Sequence, residues 1–170
     1  MRARHAASLL TLVAIAAVGC RSGSTAETTE PHATPTPAVA RPSLGSKVRI
    51  AGTKANYHGM VDVSSAKGAK KVRIEIEDSY FAPTVIKGRP GQRITVSLEN
   101  ESQSPHTFTI AGTYIDLVLE PGKLAEVPVR FPRSGNLSFY CTYEKKYGMA
   151  GAFHVSGPLG KPGPTTTPRR

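Results

Sequence analysis

The 170-residue sequence predicts an all-β fold, an antiparallel β-sandwich or barrel. Three observations carry that reading. Apolar and polar residues alternate with a period of two in about seven short stretches. Pro- and Gly-based turn signals separate those stretches. Beyond the N-terminal segment, no window shows a helical period. With no Trp and only 6% aromatic residues, the core has to be built from Val, Ile, Leu and Phe.

The first element along the chain stands apart from that fold. Arg2, Arg4 and His5 precede an apolar run from Ala6 to Val18. Such a run suits the h-region of an export signal and falls short of the roughly 18 residues that span a bilayer. Residues 1–19 therefore read as a signal peptide. Ala17-Val18-Gly19-Cys20 resembles the lipobox of bacterial lipoproteins, with Ala17 where Leu is commoner. That resemblance makes Cys20 the lipidated first residue of an extracytoplasmic protein anchored to the cell membrane through its lipid. With Cys20 unmodified, the same signal gives a secreted protein. Residues 20–46 are dominated by Thr, Pro, Ser and Ala. They bury too little surface to offset their ordering entropy, and read as a disordered tether. Residues 47–69 read as a lead-in to a domain at 70–156, and the Pro/Gly/Thr-rich end 157–170 as a disordered tail.

Within 70–156 the strands follow in order. Val72, Ile74 and Ile76 alternate with Arg73, Glu75 and Glu77, the pattern of a half-buried strand. Ile94, Val96 and Leu98 repeat it, then Phe108 and Ile110, then Ile115, Leu117 and Leu119. Val127, Val129 and Phe131 follow, then Leu137, Phe139, Cys141 and Tyr143, and finally Phe153 with Val155. Pro90-Gly91, Pro121-Gly122 and Pro132-Arg133-Ser134-Gly135 supply turns.

The formal charge is +10, yet residues 70–156 hold 11 basic against 9 acidic side chains. The excess lies in the flanks and predicts no dense basic face in the domain, so nucleic acid is not an expected partner. The chain has no Ser-His-Asp arrangement, phosphate-cradling glycine loop or second ligand cluster, and is not expected to be an enzyme. It is expected to act as a monomer.

Two inward-facing groups point to a metal. Cys141 shares the parity of Leu137 and Phe139, and with Cys20 lipidated it has no partner for a disulfide. Read alone it is equally a small buried hydrophobe. His106 shares the parity of Phe108 and Ile110. Met149 lies eight residues after Cys141, behind Gly148. Imidazole, thiolate and a weak thioether form a donor set suited to copper; with a carboxylate in reach, zinc is the second choice.

Longer stretches carry a resemblance. Tyr80-Phe-Ala-Pro-Thr-Val-Ile-Lys-Gly88, Pro90 to Asn100, Pro105-His-Thr-Phe108, Leu119-Glu-Pro-Gly122 and Phe131-Pro-Arg-Ser-Gly135 keep the order of a cupredoxin. So does Phe139-Tyr-Cys141-Thr-Tyr-Glu-Lys-Lys-Tyr-Gly-Met149-Ala-Gly-Ala-Phe153. Residues 70–156 thus resemble the plastocyanin and azurin class, particularly bacterial extracytoplasmic cupredoxin-like domains. Asn56-Tyr-His58-Gly59 is similar to a lead-in segment of such domains. The resemblance implies a Greek-key sandwich, one copper ion held by His106, Cys141 and Met149, one-electron transfer, and a redox partner protein.

One position departs from the pattern. The second His of the plastocyanin-like set falls on Glu144. Three outcomes are open: Glu144 ligates copper; His58 supplies the missing imidazole; or Glu144 joins Lys145 and Lys146 on a solvated loop and the domain holds no metal. In the last case it would be a metal-free partner-binding module. A Cu(I) scavenger or delivery protein fits the same three donors. His154, of opposite parity to Phe153 and Val155, is expected to face away.

Overall fold

The structure, a computed structural model, describes residues 42–68 and 70–161. The signal peptide, Cys20, the tether as far as residue 41 and the tail from residue 162 lie outside the described residues.

Twelve strands form among these residues: β1 (Lys47–Ile50), β2 (Thr53–Asn56), β3 (Met60–Asp62), β4 (Lys70–Glu77), β5 (Tyr80–Ala82), β6 (Val85–Lys87), β7 (Arg93–Asn100), β8 (His106–Ile110), β9 (Asp116–Leu119), β10 (Leu124–Arg130), β11 (Asn136–Tyr140) and β12 (Ala150–His154). Sheet order is β10-β7-β4-β5 in one layer and β3-β6-β12-β11-β8-β9 in the other, with β1-β2 a separate hairpin. The pairing is mixed rather than purely antiparallel. β4 runs parallel to β7, and β6 runs parallel to both β12 and β3. The cause is the crossing after β5: the chain joins the other sheet as β6, then returns as β7 beside β4 in the same direction.

The alternation sets the core as expected. Ile74, Ile76, Val96, Leu98, Val127 and Val129 point inward from one sheet, against Phe108, Ile110, Phe139 and Phe153 from the other. Phe139 joins the aromatic cluster, with ring centroids 5.2 Å from Phe81, 5.1 Å from Phe108 and 5.1 Å from Phe153. Such pairs each add about 0.5–1.5 kcal/mol beyond area burial. Across the β11–β12 pair, Phe139 stands opposite Gly151, where a Cβ would sit 2.2 Å from the Phe139 ring. Only glycine leaves room for that ring.

Two details differ from the sequence pattern. The strand carrying Phe139 ends at Tyr140, and Tyr143 is exposed on a turn; Lys145 N–H donates to the Cys141 carbonyl and bends the chain away. The lead-in is also part of the folded body. Ile50, Ala55 and Tyr57 pack with Val85, Ala150 and Ala152 in a second buried cluster, and β3 extends the six-stranded sheet.

The sandwich has two distinct ends. At one, termed the base, Gly88 N–H donates to His154 O within the six-stranded sheet, Phe131 N–H to Gln92 O within the four-stranded one, and Gly91 N–H to Pro132 O between the turns that follow β6 and β10. The start of β8, the end of β11 and the start of β12 meet at the other.

Candidate metal centre

His106 opens β8, Cys141 follows β11 and Met149 precedes β12, so three separate elements deliver three donor side chains to one end. All three are buried, each with no more than 1% of its surface exposed. His106 Nδ1 lies 3.7 Å from Cys141 Sγ. Thr107 N–H donates to that sulfur at 3.4 Å, while Thr107 Oγ1 accepts from Thr142 N–H at 2.7 Å. The Cys–Met loop is closed by Cys141 N–H to Met149 O at 3.1 Å. The thiol is therefore fixed from both sides of its own residue.

The two nitrogens of His106 face different groups. Nδ1 faces sulfur and carboxylate, a donor grouping that fits a soft or borderline metal. Nε2 is buried with no hydrogen-bond partner; Asp78 Oδ1, 3.6 Å away, is the carboxylate oxygen on that side.

Glu144 is half-buried in a loop whose neighbours Thr142, Tyr143, Lys145, Lys146 and Tyr147 are exposed. Its Oε2 accepts Ser79 N–H at 2.8 Å and lies 4.0 Å from His106 Nδ1. Lys145 and Lys146 take the opposite course: their ammonium groups lie over the rings of Tyr140 at 4.1 Å and Tyr147 at 4.8 Å. The acid of this run turns inward and its two bases turn outward. Among the described residues no three His, Cys, Asp or Glu side chains converge as a ready-made site. His106, Cys141 and Glu144 come nearest, with Nδ1 close to both partners and Oε2 already engaged by Ser79.

His58 takes another place. Its ring stacks on Tyr80 at 3.5 Å and 9°, its backbone N–H donates to Thr84 Oγ1 at 2.7 Å, and burial pulls its pKa below the ordinary 6.5. His154 lies at the base, with Nδ1 2.6 Å from Asn136 Oδ1.

The residue in the lead-in that reaches this end is Asn56, which the sequence did not single out as a site residue. Its Nδ2 donates to Ser79 O at 2.6 Å and to Tyr147 O at 3.2 Å, its N–H donates to Gly148 O at 2.9 Å, and its Oδ1 accepts from Lys47. One amide thus joins the turn that holds Glu144 to the loop that carries Met149. Gly148 adopts φ +103°, and a Cβ there would lie 2.6 Å from the Lys54 carbonyl; the loop can lie this close to β2 only with glycine. Beside it, Lys54, Tyr143, Lys145 and Lys146 line an open groove of about 730 Å³.

Solved structures of similar shape include the metal-binding domain of the Cu(I)-exporting P-type ATPase CopA of Streptococcus pneumoniae, at 17% identity over 58% of this chain and 97% of that one, TM-score 0.49. Auracyanin from Roseiflexus castenholzii follows at 20% identity over 55% and 100% of the two chains, TM-score 0.43. A purple cupredoxin from Nitrosopumilus maritimus gives 19% over 50% and 99%, TM-score 0.39. No curated protein gives a significant match. The match that decides the matter is to the model of the cupredoxin-like domain family, which takes in residues 51–155 and so includes β2 and the whole ligand end; the chain belongs to that family.

Proposed function

We propose that this chain is a membrane-tethered, extracytoplasmic copper protein that passes single electrons through one mononuclear site. The observation that carries this reading is the buried pair His106 Nδ1 and Cys141 Sγ at 3.7 Å, with Met149 also buried and its carbonyl bonded to Cys141 N–H. Bound copper would supply a Cu(II)/Cu(I) couple. His106, Cys141 and Met149 would hold it, with Glu144 at the position of the second imidazole. The chain's own work is positional. Thr107 and Thr142 orient the thiol, Ser79 orients the Glu144 carboxylate, and Phe108 and Phe139 keep water from the interior side. The chain turns over no substrate itself.

A thiolate at 141 and a carboxylate at 144 bring two negative charges, which favour the more highly charged ion. Glu144→His should therefore raise the reduction potential. Lys54, Lys145 and Lys146 around the adjacent groove suit a redox partner with an acidic face. The anchoring rests on the Cys20 motif.

Copper titration with visible absorption tests the reading. An intense thiolate-to-copper band that saturates at one equivalent and vanishes in Cys141→Ser supports it; absence of both the band and stoichiometric uptake overturns it. A second reading, a Cu(I) scavenger or delivery protein, draws on one observation: Glu144 Oε2 is already engaged by Ser79, which leaves His106, Cys141 and Met149 as a three-donor set. Copper handed on as Cu(I), without reversible cycling in place, would favour it.

A further inference from the structure

The base of the sandwich carries a charge arrangement that the metal centre does not use. In the β7–β10 pair Arg93 stands directly opposite Arg130, and both are exposed. Like charges directly opposite on neighbouring strands are destabilising. Elsewhere on the same sheet charges are neutralised: Arg73 meets Glu75, Glu99 and Glu101, and Lys71 meets Glu126. Among the described residues no carboxylate lies within ion-pair distance of Arg93 or Arg130.

The surroundings add to that charge. Arg130 borders two shallow grooves, one of about 340 Å³ with Pro90, Gly91 and Arg133, the other of about 210 Å³ with Arg93, Ile94, Pro128 and Val129. Arg89 adjoins them in the β6–β7 turn, and Lys70, exposed at the start of β4, is in register with Ile94. Asp62, the carboxylate at the end of β3, is taken up by Lys87 at 2.9 Å and by Ser64 N–H.

We propose that this basic end is a docking surface for the phosphate headgroups of an anionic phospholipid bilayer, seating the chain with its ligand end directed away from the membrane. The arginines are spread over a blunt end rather than converging on one point, which suits an array of singly charged headgroups better than a single phosphate ligand. No aromatic side chain lines either groove, so the stacking platform of a single-stranded nucleic-acid site is missing. That docking rests on the tethering proposed above, in which the Cys20 motif holds the chain at a bilayer once the signal peptide is removed.

The test compares partition of the chain from Cys20 onward onto phosphatidylcholine vesicles with and without about one third phosphatidylglycerol. A lipid on Cys20 acts on both, so the ratio of the two partition coefficients reads the charged surface. The ratio should exceed one and fall as salt shortens the screening length. Arg93→Gln with Arg130→Gln should lower it at least about ten-fold. Lys123→Glu removes the same total charge at the ligand end and should lower it less than about three-fold. The double variant relieves the like-charge pair, so its thermal midpoint should not drop, which separates lost docking from lost folding. An unchanged ratio in the double variant, an equal loss in Lys123→Glu, or displacement from the vesicles by a single-stranded oligonucleotide would each overturn the proposal.

Discussion

Both ends of the sandwich are stapled by a carboxamide, and the two staples hold different things. At the ligand end Asn56 joins Ser79 to Tyr147. At the base Gln92 donates to Val63 O at 2.9 Å and accepts Arg89 N–H at 2.8 Å. Around Asn56 the neighbouring side chains turn inward: Glu144 to Ser79, Thr107 to Thr142, His106 to Cys141. Around Gln92 the main chain closes the turns, Asn136 ties the chain after β12 through Pro158, Leu159 and Lys161, and Arg93, Arg130 and Arg133 are left exposed. Where donor atoms must be held to a fraction of an ångström, polar side chains are spent on loops. Where the end only has to be closed, part of the charged set stays exposed to face a partner.

The largest effect should come from removing what both ends share. Phe139→Ala empties the centre of the aromatic cluster and should cost about 3–5 kcal/mol, read by denaturant unfolding, with both ends lost together. Gly148→Ala breaks the comparison on one side only. It forces a left-handed backbone on a residue with a Cβ, and presses that Cβ against the Lys54 carbonyl. We expect a cost of about 2–3 kcal/mol together with weaker copper retention.

The sharpest contrast is Asn56→Ala against Gln92→Ala. Each should cost about 1–2 kcal/mol of stability, but only Asn56→Ala should weaken copper binding, by about ten-fold, in competition with a chelator. Equal effects on copper would show that the staple at the ligand end is merely structural. The smallest effect belongs to Asp62. Ser64, by side-chain and backbone hydrogen bonds, and then Lys87 lower its pKa from 3.8 to about 2. Because the folded value is depressed, its contribution is complete above about pH 4 and is lost as pH falls through about 2. Asp62→Asn should therefore cost at most about 1 kcal/mol near neutral pH, given its exposure. That difference should disappear in strong acid.

The strands with one buried face were legible in advance, because alternation in β4, β7 and β10 reports directly on which residues meet the core. His106, Cys141 and Met149 could be paired from parity and spacing, and the structure brings His106 Nδ1 to Cys141 Sγ. What escaped depends on contacts far apart in sequence. Lys47–Ile50 and Thr53–Asn56 carry weak alternation and owe their burial to Val85, Ala150 and Ala152. Asn56 meets Tyr147 across 91 positions. The near balance of charge over 70–156 predicted no basic face, yet a sum along the chain does not record that β-pairing sets Arg93 beside Arg130. Glu144 was expected to be either a ligand or part of a solvated loop; its bond to Ser79 depends on the β4–β5 turn, which no local pattern announces.

The complete burial of Cys141 also makes it a gauge. It is the free cysteine of the described residues, and a buried sulfur meets solvent only through a local opening of the structure around it. With reclosing faster than the chemistry, a bulky thiol reagent will label it at the free-thiol rate multiplied by the equilibrium constant of that opening. Labelling kinetics, with Cys20 substituted to silence the second thiol, would read the local opening free energy of this end against that of the whole fold. A single atom would then report, without any spectroscopic probe, how tightly the loop is shut.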